Sequence, residues 1–184
     1  MLHSDNPSST KAIEISVVIP ALNEEDSIRR LLEDVLSQTL KPAEIVITDG
    51  GSTDRTREII EEFITTGAPI RLIRVTKSLP GRARNLAVAE SHGQWIEFTD
   101  AGITLMPDWL EALTTKAHEK SADVVYGTYE PIIESFFTEC AAIAYVPPPF
   151  ESDGGPVRPR SIVSALMRRQ AWETVGGFPE HLRS

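Results

Sequence analysis

Cysteine occurs only once in this chain of 184 residues, at Cys140. A single thiol excludes an internal disulfide and a zinc site built from cysteines. Long apolar runs are missing too, because no stretch approaches the roughly 20 residues that a membrane-spanning helix needs. Residues 1–11 are polar and lack the apolar core of a secretory leader, so we expect a flexible N-terminal tail there. These absences predict a reduced, cytoplasmic domain and leave contact with the inner face of the membrane open.

Basic residues are scarce relative to acidic ones. The chain carries 18 Lys and Arg against 27 Asp and Glu, which gives a formal net charge of −9. Such a balance excludes broad nucleic-acid binding through phosphate contacts. A small anionic ligand would need arginines, helix N-termini or a metal ion gathered locally. With 41% hydrophobic residues in the chain, residues 12–184 are expected to form one globular domain.

Short apolar runs of strand length alternate with stretches in which apolar residues recur with helical spacing. The runs lie at residues 15–19, 45–47, 70–75, 94–99, 122–129 and 162–167. Pro20 is expected to stop the first of them. The alternation predicts an α/β fold, a three-layer αβα sandwich with a mostly parallel central sheet.

Carboxylates stand directly after two of the predicted strands. Asp49 follows the second run and precedes the flexible pair Gly50-Gly51, and Asp100 follows the fourth run. Ligands of open α/β sheets bind at the carboxyl ends of the strands, so both acids could converge on one ligand. The alternative interpretation is that Asp49 only begins a turn.

Other polar residues cluster at the predicted helix starts. Ser52, Thr53 and Asp54 supply oxygens that are expected to cap the second helix. Arg82 and Arg84 fall in the first turn of the third helix, where cations oppose the helix dipole. We therefore expect an anion near these arginines, with two solvated surface arginines as the alternative.

Two later segments differ from the regular alternation. Residues 131–146 carry an apolar stripe typical of an amphipathic helix, which would pack in the core or face a membrane surface or a partner. Residues 145–160 are rich in proline and glycine and are expected to form a long irregular loop. Loops of this length often cover a binding site.

Five segments, taken in order, resemble family 2 glycosyltransferases. They are VVIPALNEE (17–25), VITDGGSTDRT (46–56), GRARN (81–85), FTDAG (98–102) followed by PDWL, and VGGFPE (175–180). Their order and spacing match that family across almost the whole chain after residue 14. The resemblance implies the glycosyltransferase A-type fold of the nucleotide-diphosphate-sugar transferases. It also implies inverting transfer of a sugar from a nucleotide diphosphate donor, UDP above all, to a hydroxyl acceptor, as in cell-envelope or polysaccharide synthesis.

The same resemblance implies which residues hold the nucleoside. The loop after the first strand would lie along the uridine. It contributes Pro20, Ala21, Asn23 and Glu24. Asp49 would accept a hydrogen bond from the ring nitrogen of uracil.

A diphosphate and metal site is implied as well. Arg82 or Arg84 would lie near the diphosphate, and Gly51 and Ala101 belong to the same donor site. Asp100 would reach the ribose and a divalent metal ion, Mg²⁺ or Mn²⁺. Such an ion offsets the negative charge that develops as the sugar–phosphate bond breaks.

The sequence departs from the family pattern at two places. Gly102 replaces the second acid of the DxD motif, which predicts weaker metal affinity or donor binding without metal. In family members a Glu-Asp pair, whose Asp is the general base, follows shortly after VGGFPE. The counterpart of that pair would lie beyond Ser184, so the resemblance implies a domain truncated at its C-terminus.

Other functions compete with the transferase interpretation. A non-catalytic nucleotide-sugar-binding or regulatory module fits Gly102 and the missing base. A dehydrogenase is disfavoured because GGSTD lacks the G-x-G-x-x-G turn. A nucleotidyltransferase is disfavoured because Asn23-Glu24-Glu25 stands where a glycine-rich phosphate loop would follow the first strand. The donated sugar, the acceptor and the oligomeric state are not encoded in these motifs.

Overall fold

The computed structural model describes residues 13–152 and 155–181, so the predicted tail at 1–11 lies outside the described residues. The strands are Ile15–Ala21 (β1), Glu44–Asp49 (β2), Ile70–Arg74 (β3), Trp95–Phe98 (β4), Val124–Tyr126 (β5), Phe150–Ser152 (β6), Gly155–Val157 (β7) and Ala165–Arg168 (β8). The α-helices are Ile28–Ser37 (α1), Thr56–Thr65 (α2), Pro80–Ala89 (α3), Trp109–Lys120 (α4), Phe136–Tyr145 (α5) and Arg169–Val175 (α6). A 3₁₀ turn, Ile162–Ser164, precedes β8.

The main sheet of the described residues has the strand order β3-β2-β1-β4-β8-β5. Strands β1 to β4 pair in parallel, as the sequence predicts. Strand β8 runs antiparallel to both β4 and β5, so β5 points in the same direction as β4. The chain enters β8 from the 3₁₀ turn at the carboxyl edge of the sheet. No helical crossover is needed for an antiparallel pairing of this kind.

Helices cover both faces of the sheet and make the predicted three layers. On one face α1, α2 and α4 bury apolar side chains such as Leu31, Ile60 and Leu110. On the other face α3 and α6 contribute Ala87 and Trp172. Successive residues of each strand point to opposite faces, so the central strands β1 and β4 carry mostly apolar side chains on both faces.

Pro20 does not stop β1, which continues to Ala21. The Val18 carbonyl accepts from the Thr99 N–H at 3.2 Å, so residues 18 and 20 of β1 both face β4. Strand β4 has ended at Phe98 by the level of Pro20. The missing N–H of Pro20 therefore faces no strand, and the proline is tolerated.

The two segments after β5 differ from what the sequence predicts. Residues 145–160 are not wholly irregular, because β6 and β7 form a short antiparallel hairpin within them. The stripe of α5 does not enter the core: Phe136, Phe137 and Ile143 are 82%, 79% and 79% exposed. Contact of this stripe with a membrane or partner stays a prediction. None of the helices within the described ranges is long and apolar enough to cross a bilayer.

Glu97 of β4 is a fully buried acid with unsatisfied oxygens. It pairs in register with Val17 of β1 and Leu166 of β8, so its side chain points into the apolar core beneath α1 and α4. Neither carboxyl oxygen has a hydrogen-bond partner of good geometry among the described residues. Burial raises the pKa of Glu97 well above its ordinary value of 4.5, and the nearby Ala165 N–H offsets only part of this rise. The folded protein therefore holds Glu97 protonated.

We predict that Glu97→Gln stabilises the protein at neutral pH. The folded state retains a proton that the unfolded state releases above about pH 4.5. Stability therefore falls as pH rises from there, by up to about 1.4 kcal/mol per pH unit. Urea unfolding at pH 5 and pH 8 should show that the variant loses less stability than the wild type over this interval. The exposed Glu33→Gln is the matched control, and parallel losses in wild type and Glu97→Gln would refute a protonated Glu97.

Candidate functional site

A cleft of about 330 Å³ opens at the carboxyl edge of the sheet, where β1, β2 and β4 end. Its walls include Ala21 at the end of β1, Gly50 after β2 and Asp100 after β4. An adjoining hollow of about 490 Å³ shares Leu22, Gly50 and Ser78 with it. Strand β1 lies between β2 and β4, so the strand order reverses at this point. Such switch points are where open α/β sheets bind ligands.

The loops that follow β1 and β2 hold each other through reciprocal hydrogen bonds. Asn23 has a left-handed backbone with φ of 56°, which Asn adopts more readily than most residues. Its N–H donates to Ser52 Oγ at 2.9 Å, and its Oδ1 accepts from the Thr53 N–H at 2.9 Å. We call this set of contacts and its continuation below the loop lattice.

The loop lattice continues towards the start of α2. The Glu24 N–H donates to Thr56 Oγ1 at 2.7 Å, and the Glu25 N–H donates to Asp54 Oδ2 at 3.1 Å. In return the Arg55 N–H donates to Glu25 Oε2 at 3.1 Å. The residue before α2 is Arg55, which makes no side-chain cap. The prediction that residues 52–54 cap α2 was wrong for Ser52 and Thr53, whose hydroxyls are used between the loops. Asp54 Oδ1 does accept from the N–H of Thr56, the first residue of α2, at 3.0 Å.

The hydrogen bonds of the loop lattice lower the pKa of Asp54. Burial raises the pKa of Asp54, but hydrogen bonds from the Thr56 hydroxyl, the Thr56 N–H and the Glu25 N–H outweigh this effect. The net result is a pKa below its ordinary value of 3.8. Asp54 is thus an anchor of the two loops in its charged form.

Asp49 lies beneath the loop lattice and away from the cleft. Its carboxylate is completely buried, with Oδ2 accepting from Arg57 Nε at 2.5 Å and Oδ1 accepting from the Ser52 N–H at 3.1 Å. The ion pair with Arg57 had no signal in the sequence pattern, because Asp49 ends β2 and Arg57 lies in the first turn of α2. The predicted contact of Asp49 with uracil stays a prediction.

Arg84 is the buried cation of the cleft. Its side chain is 7% exposed, and its Nη2 donates to Asp100 Oδ1. The sequence expectation of an anion near the arginines of α3 is met here by Asp100. Among the described residues Arg84 Nε has no hydrogen-bond partner although it is buried. A buried unsatisfied donor is costly, so this N–H is suited to a ligand oxygen.

The VGGFPE segment supports Arg84 from below. The Arg84 guanidinium lies 5.7 Å from the centre of the Phe178 ring. Asn85 fixes Phe178 with two hydrogen bonds of 2.9 Å, one to its carbonyl and one from its N–H. Phe178 also packs edge-on against Trp172, with ring centres 4.9 Å apart. The segment therefore has a structural role that its sequence alone did not indicate.

Arg82 and Gly51 line the adjoining hollow rather than the cleft itself. Arg82 is half-exposed, with its Nη1 donating to the Lys77 carbonyl at 3.3 Å. Gly51 has φ of 107°, and a Cβ there would lie 2.4 Å from the Thr76 carbonyl oxygen. No residue larger than glycine fits this position without moving the backbone.

A metal ion has few protein ligands at this edge. No group of three His, Cys, Asp or Glu that could hold a metal occurs in the described part of the chain. Arg84 occupies Oδ1 of Asp100, a half-buried carboxylate that lines the cleft. Gly102 has φ of 84° with open space around it, so nothing there replaces the missing acid. A single carboxylate fits Mg²⁺ or Mn²⁺ only when a diphosphate and water complete the shell.

The structure gathers most of the predicted donor residues. Those that line the cleft are Pro20, Ala21, Glu24, Arg84, Asp100 and Ala101. Neither Asn23 nor Asp49 lines the cleft or the hollow. The sequence did not indicate Ser78, which lies before α3, or Ile162, which comes from the distant 3₁₀ turn.

Known proteins resemble this chain in sequence and in fold. The sequence model of Glycosyl transferase family 2 matches residues 16–175. The succinoglycan biosynthesis protein ExoA of Rhizobium meliloti is 33% identical over 191 residues, which covers 97% of this chain and 56% of ExoA. The chain thus spans little more than half the length of that relative.

Solved structures show the same fold at lower identity. Staphylococcus aureus TarS 1–349 in complex with UDP has a TM-score of 0.68 and 20% identity, covering 94% of this chain and 52% of that one. The mannosyltransferase PcManGT from Pyrobaculum calidifontis, in complex with GDP-Man and Mn²⁺, has a TM-score of 0.72 and 22% identity, covering 94% and 49%. These likenesses confirm the glycosyltransferase A-type fold that the sequence predicts.

We predict that Ser52→Ala destabilises the protein, because it leaves the Asn23 N–H without its acceptor. The expected loss in the free energy of unfolding is about 1–2 kcal/mol in urea titrations. Ser37→Ala is the control, since the Ser37 hydroxyl makes only a local bond to the Asp34 carbonyl at the exposed end of α1. A loss for Ser52→Ala no larger than that of the control would show that the lattice contributes little.

Proposed function

Because this chain belongs to Glycosyl transferase family 2, we propose that it binds a nucleotide diphosphate sugar, UDP-linked above all, and transfers the sugar with inversion to a hydroxyl acceptor. The Arg84–Asp100 pair on the wall of the switch-point cleft carries this proposal. In an acidic chain, Arg84 is a buried cation with an N–H still unsatisfied. The UDP and GDP-Man complexes of the structural neighbours support the same donor class.

In this proposal the diphosphate lies between Arg84 and the N-terminus of α3. Pro80, the first residue of this helix, lines the cleft, and the preceding Leu79 provides no side-chain cap. The helix dipole and its first N–H groups favour an anion at such an end. As the sugar–phosphate bond breaks, negative charge grows on the leaving diphosphate. The Arg84 guanidinium is fixed in advance to meet that charge.

In this proposal the nucleoside lies against the loop lattice. The backbone from Ala21 to Glu24 would lie along the uridine, with Gly51 permitting close approach. Asp49 would accept from the uracil N–H. A carboxylate has about four lone-pair sites, and Arg57 and the Ser52 N–H use two of them. The contact therefore does not require loss of the ion pair, but the complete burial of Asp49 requires the loop above it to open.

Asp100, together with the diphosphate, would coordinate Mg²⁺ or Mn²⁺ at this site. When bound, such an ion would neutralise charge on the leaving group. The Mn²⁺ in the PcManGT complex supports a divalent ion for this chain too. The general base that inversion requires is not assigned to any described residue.

A non-catalytic nucleotide-sugar-binding module is the second candidate, and Gly102 is the observation that favours it. Replacement of the second acid weakens metal binding more directly than it weakens nucleotide binding. Release of free nucleotide from a UDP-sugar in the presence of an acceptor separates the two candidates. Binding without any turnover favours the module.

We predict that Arg84→Gln weakens UDP binding by at least about 10-fold but changes uridine binding little. The guanidinium that is lost would contact the diphosphate. A hydrogen bond to a charged group contributes more free energy than a 10-fold change in affinity requires. Asp49→Asn should instead weaken UDP and uridine alike, because the base is present in both. Isothermal titration of both ligands measures the difference.

The exposed Arg30→Gln has the same change in charge and serves as the control for this titration. Thermal melting of each variant checks that the fold is intact. Equal effects of Arg84→Gln on UDP and uridine would remove Arg84 from the diphosphate site.

We also predict that Gly102→Asp makes UDP binding more dependent on Mn²⁺. The new carboxylate would stand where the second acid of the motif is missing, in space that is open. Titration with Mn²⁺ and with EDTA should show a metal effect at least about 10-fold larger than in wild type, since a second carboxylate ligand favours the ion. Gly102→Asn is the control, because Asn adopts the same left-handed backbone as Asp but brings no charge. An unchanged metal effect in Gly102→Asp would place the ion elsewhere.

A further inference from the structure

A second cleft, of about 610 Å³, lies along the edge of the sheet and is larger than the proposed donor cleft. We call it the edge cleft. Helix α4 contributes Lys116 and Lys120 to it, and β5 contributes Tyr126. The hairpin and the chain that follows it contribute Phe150, Arg158 and Arg160. Its volume is in the range of sites that bind ligands of several rings.

The edge cleft is basic in a protein that is otherwise acidic. Four of its described lining residues are cations and none is acidic, although the chain as a whole has 27 acidic and 18 basic residues. Within the described ranges, neither Lys120 nor Arg160 forms an ion pair with a carboxylate, whereas Lys116 pairs with Glu119 at 3.0 Å. Positive charge that no protein carboxylate neutralises favours an anionic ligand.

Arg158 is the mostly buried cation of the edge cleft. Its side chain is only 10% exposed and pairs with Glu130 at 2.5 Å. Its Nη1 donates to the Pro147 carbonyl at 2.6 Å. Its Nε is buried and has no partner among the described residues. An unsatisfied charged donor of this kind lowers its free energy when an anionic oxygen binds.

Two aromatic rings border these cations. Tyr126 is 40% exposed and Phe150 is 54% exposed, and Arg160 lies 5.8 Å from the centre of the Tyr126 ring. Exposed aromatic faces offer flat apolar area at low entropic cost. A ligand that combines flat apolar faces with negative charge suits such a surface, and a sugar chain bearing carboxylate or phosphate groups has both properties.

The edge cleft is also close to the proposed donor cleft. Strand β5 points in the same direction as β4, so Tyr126 at the end of β5 and Asp100 after β4 lie at the same edge of the sheet. Only β8 lies between these strands, which puts them about 10 Å apart at the usual strand spacing. Arg160 of the edge cleft and Ile162 of the donor cleft belong to one short connection.

From these observations we propose that the edge cleft binds the acceptor, and that the acceptor is an anionic saccharide. Its hydroxyl end would reach the donor cleft while its carboxylate or phosphate groups lie among Lys120, Arg158 and Arg160. This proposal rests on the transferase function proposed above. It extends that function by naming the chemical class of the acceptor.

The test is binding of defined saccharides, measured by titration at low salt, where charge contacts are least screened. A tetrasaccharide of hyaluronan supplies carboxylates, glucose 1-phosphate supplies a phosphate, and chitotetraose is the neutral probe. We expect at least one anionic probe to bind and the neutral probe to bind at least about 10-fold more weakly. The double variant Lys120→Gln/Arg160→Gln should weaken the anionic probe by at least about 10-fold, because it removes two charges that no carboxylate offsets. Whichever anionic probe is affected identifies the anion.

The double variant Arg30→Gln/Lys41→Gln removes the same charge from the α1 side of the protein and is the matched control. If it weakens binding equally, the effect is general electrostatics and the proposal is wrong. The proposal also fails if neither anionic probe binds. A membrane surface would be the ligand instead if only phosphatidylglycerol vesicles bind and Lys120→Gln/Arg160→Gln abolishes their binding, and this result too overturns the proposal. UDP titration of the same samples separates a failure of the acceptor assignment from a failure of the donor site. Intact UDP binding with no saccharide binding overturns the acceptor assignment alone, whereas absent UDP binding counts against the donor site.

Discussion

The loop lattice between the segments after β1 and β2 is the constraint on which the rest of the site depends. Backbone N–H groups of Asn23, Glu24 and Glu25 donate to side chains of the second loop, and the second loop donates back. Because each loop satisfies the polar groups of the other, neither needs a partner from the cleft. The backbone of residues 20–22 and 50–51 is therefore left as a preformed wall. A ligand that binds there meets loops that are already ordered, and only the proposed contact with the buried Asp49 requires the second loop to open.

The layered architecture follows closely from the sequence, whereas the arrangement of β8 and β5 at one side of the sheet does not. Apolar runs of strand length and helical stripes give β1 to β4 and their helices within a few residues. The signal weakens after β5, where strands of three or four residues carry little periodicity. Strand β8 runs antiparallel because its direction is set by the connection that delivers it, and the run at 162–167 contains no mark of that direction. The prediction that Pro20 stops β1 was wrong for a similar reason, since the effect of this proline depends on where the neighbouring β4 ends.

The candidate site is predictable in position but less so in its contacts. Acids after two strands and arginines at the start of α3 correctly indicate the carboxyl edge of the sheet. The sequence does not show that Arg84 is buried against Asp100 while Arg82 remains half-exposed, because both lie in one short motif. Nor does it show Arg57 against the buried Asp49, or Phe178 beneath Arg84. These pairings join residues from different elements, and only tertiary packing decides them.

The most direct test of the account is to map UDP onto the protein by nuclear magnetic resonance, with backbone amide signals followed during a titration. A donor site at the carboxyl edge predicts that the shifted signals belong to residues 20–24 and 50–53 and to the start of α3, with the side-chain Nε signal of Arg84 also moving. Signals along β3 and at the far end of α4 should change little. Shifts confined to surfaces away from the carboxyl edge of β1, β2 and β4, or no shifts at millimolar UDP, would contradict it.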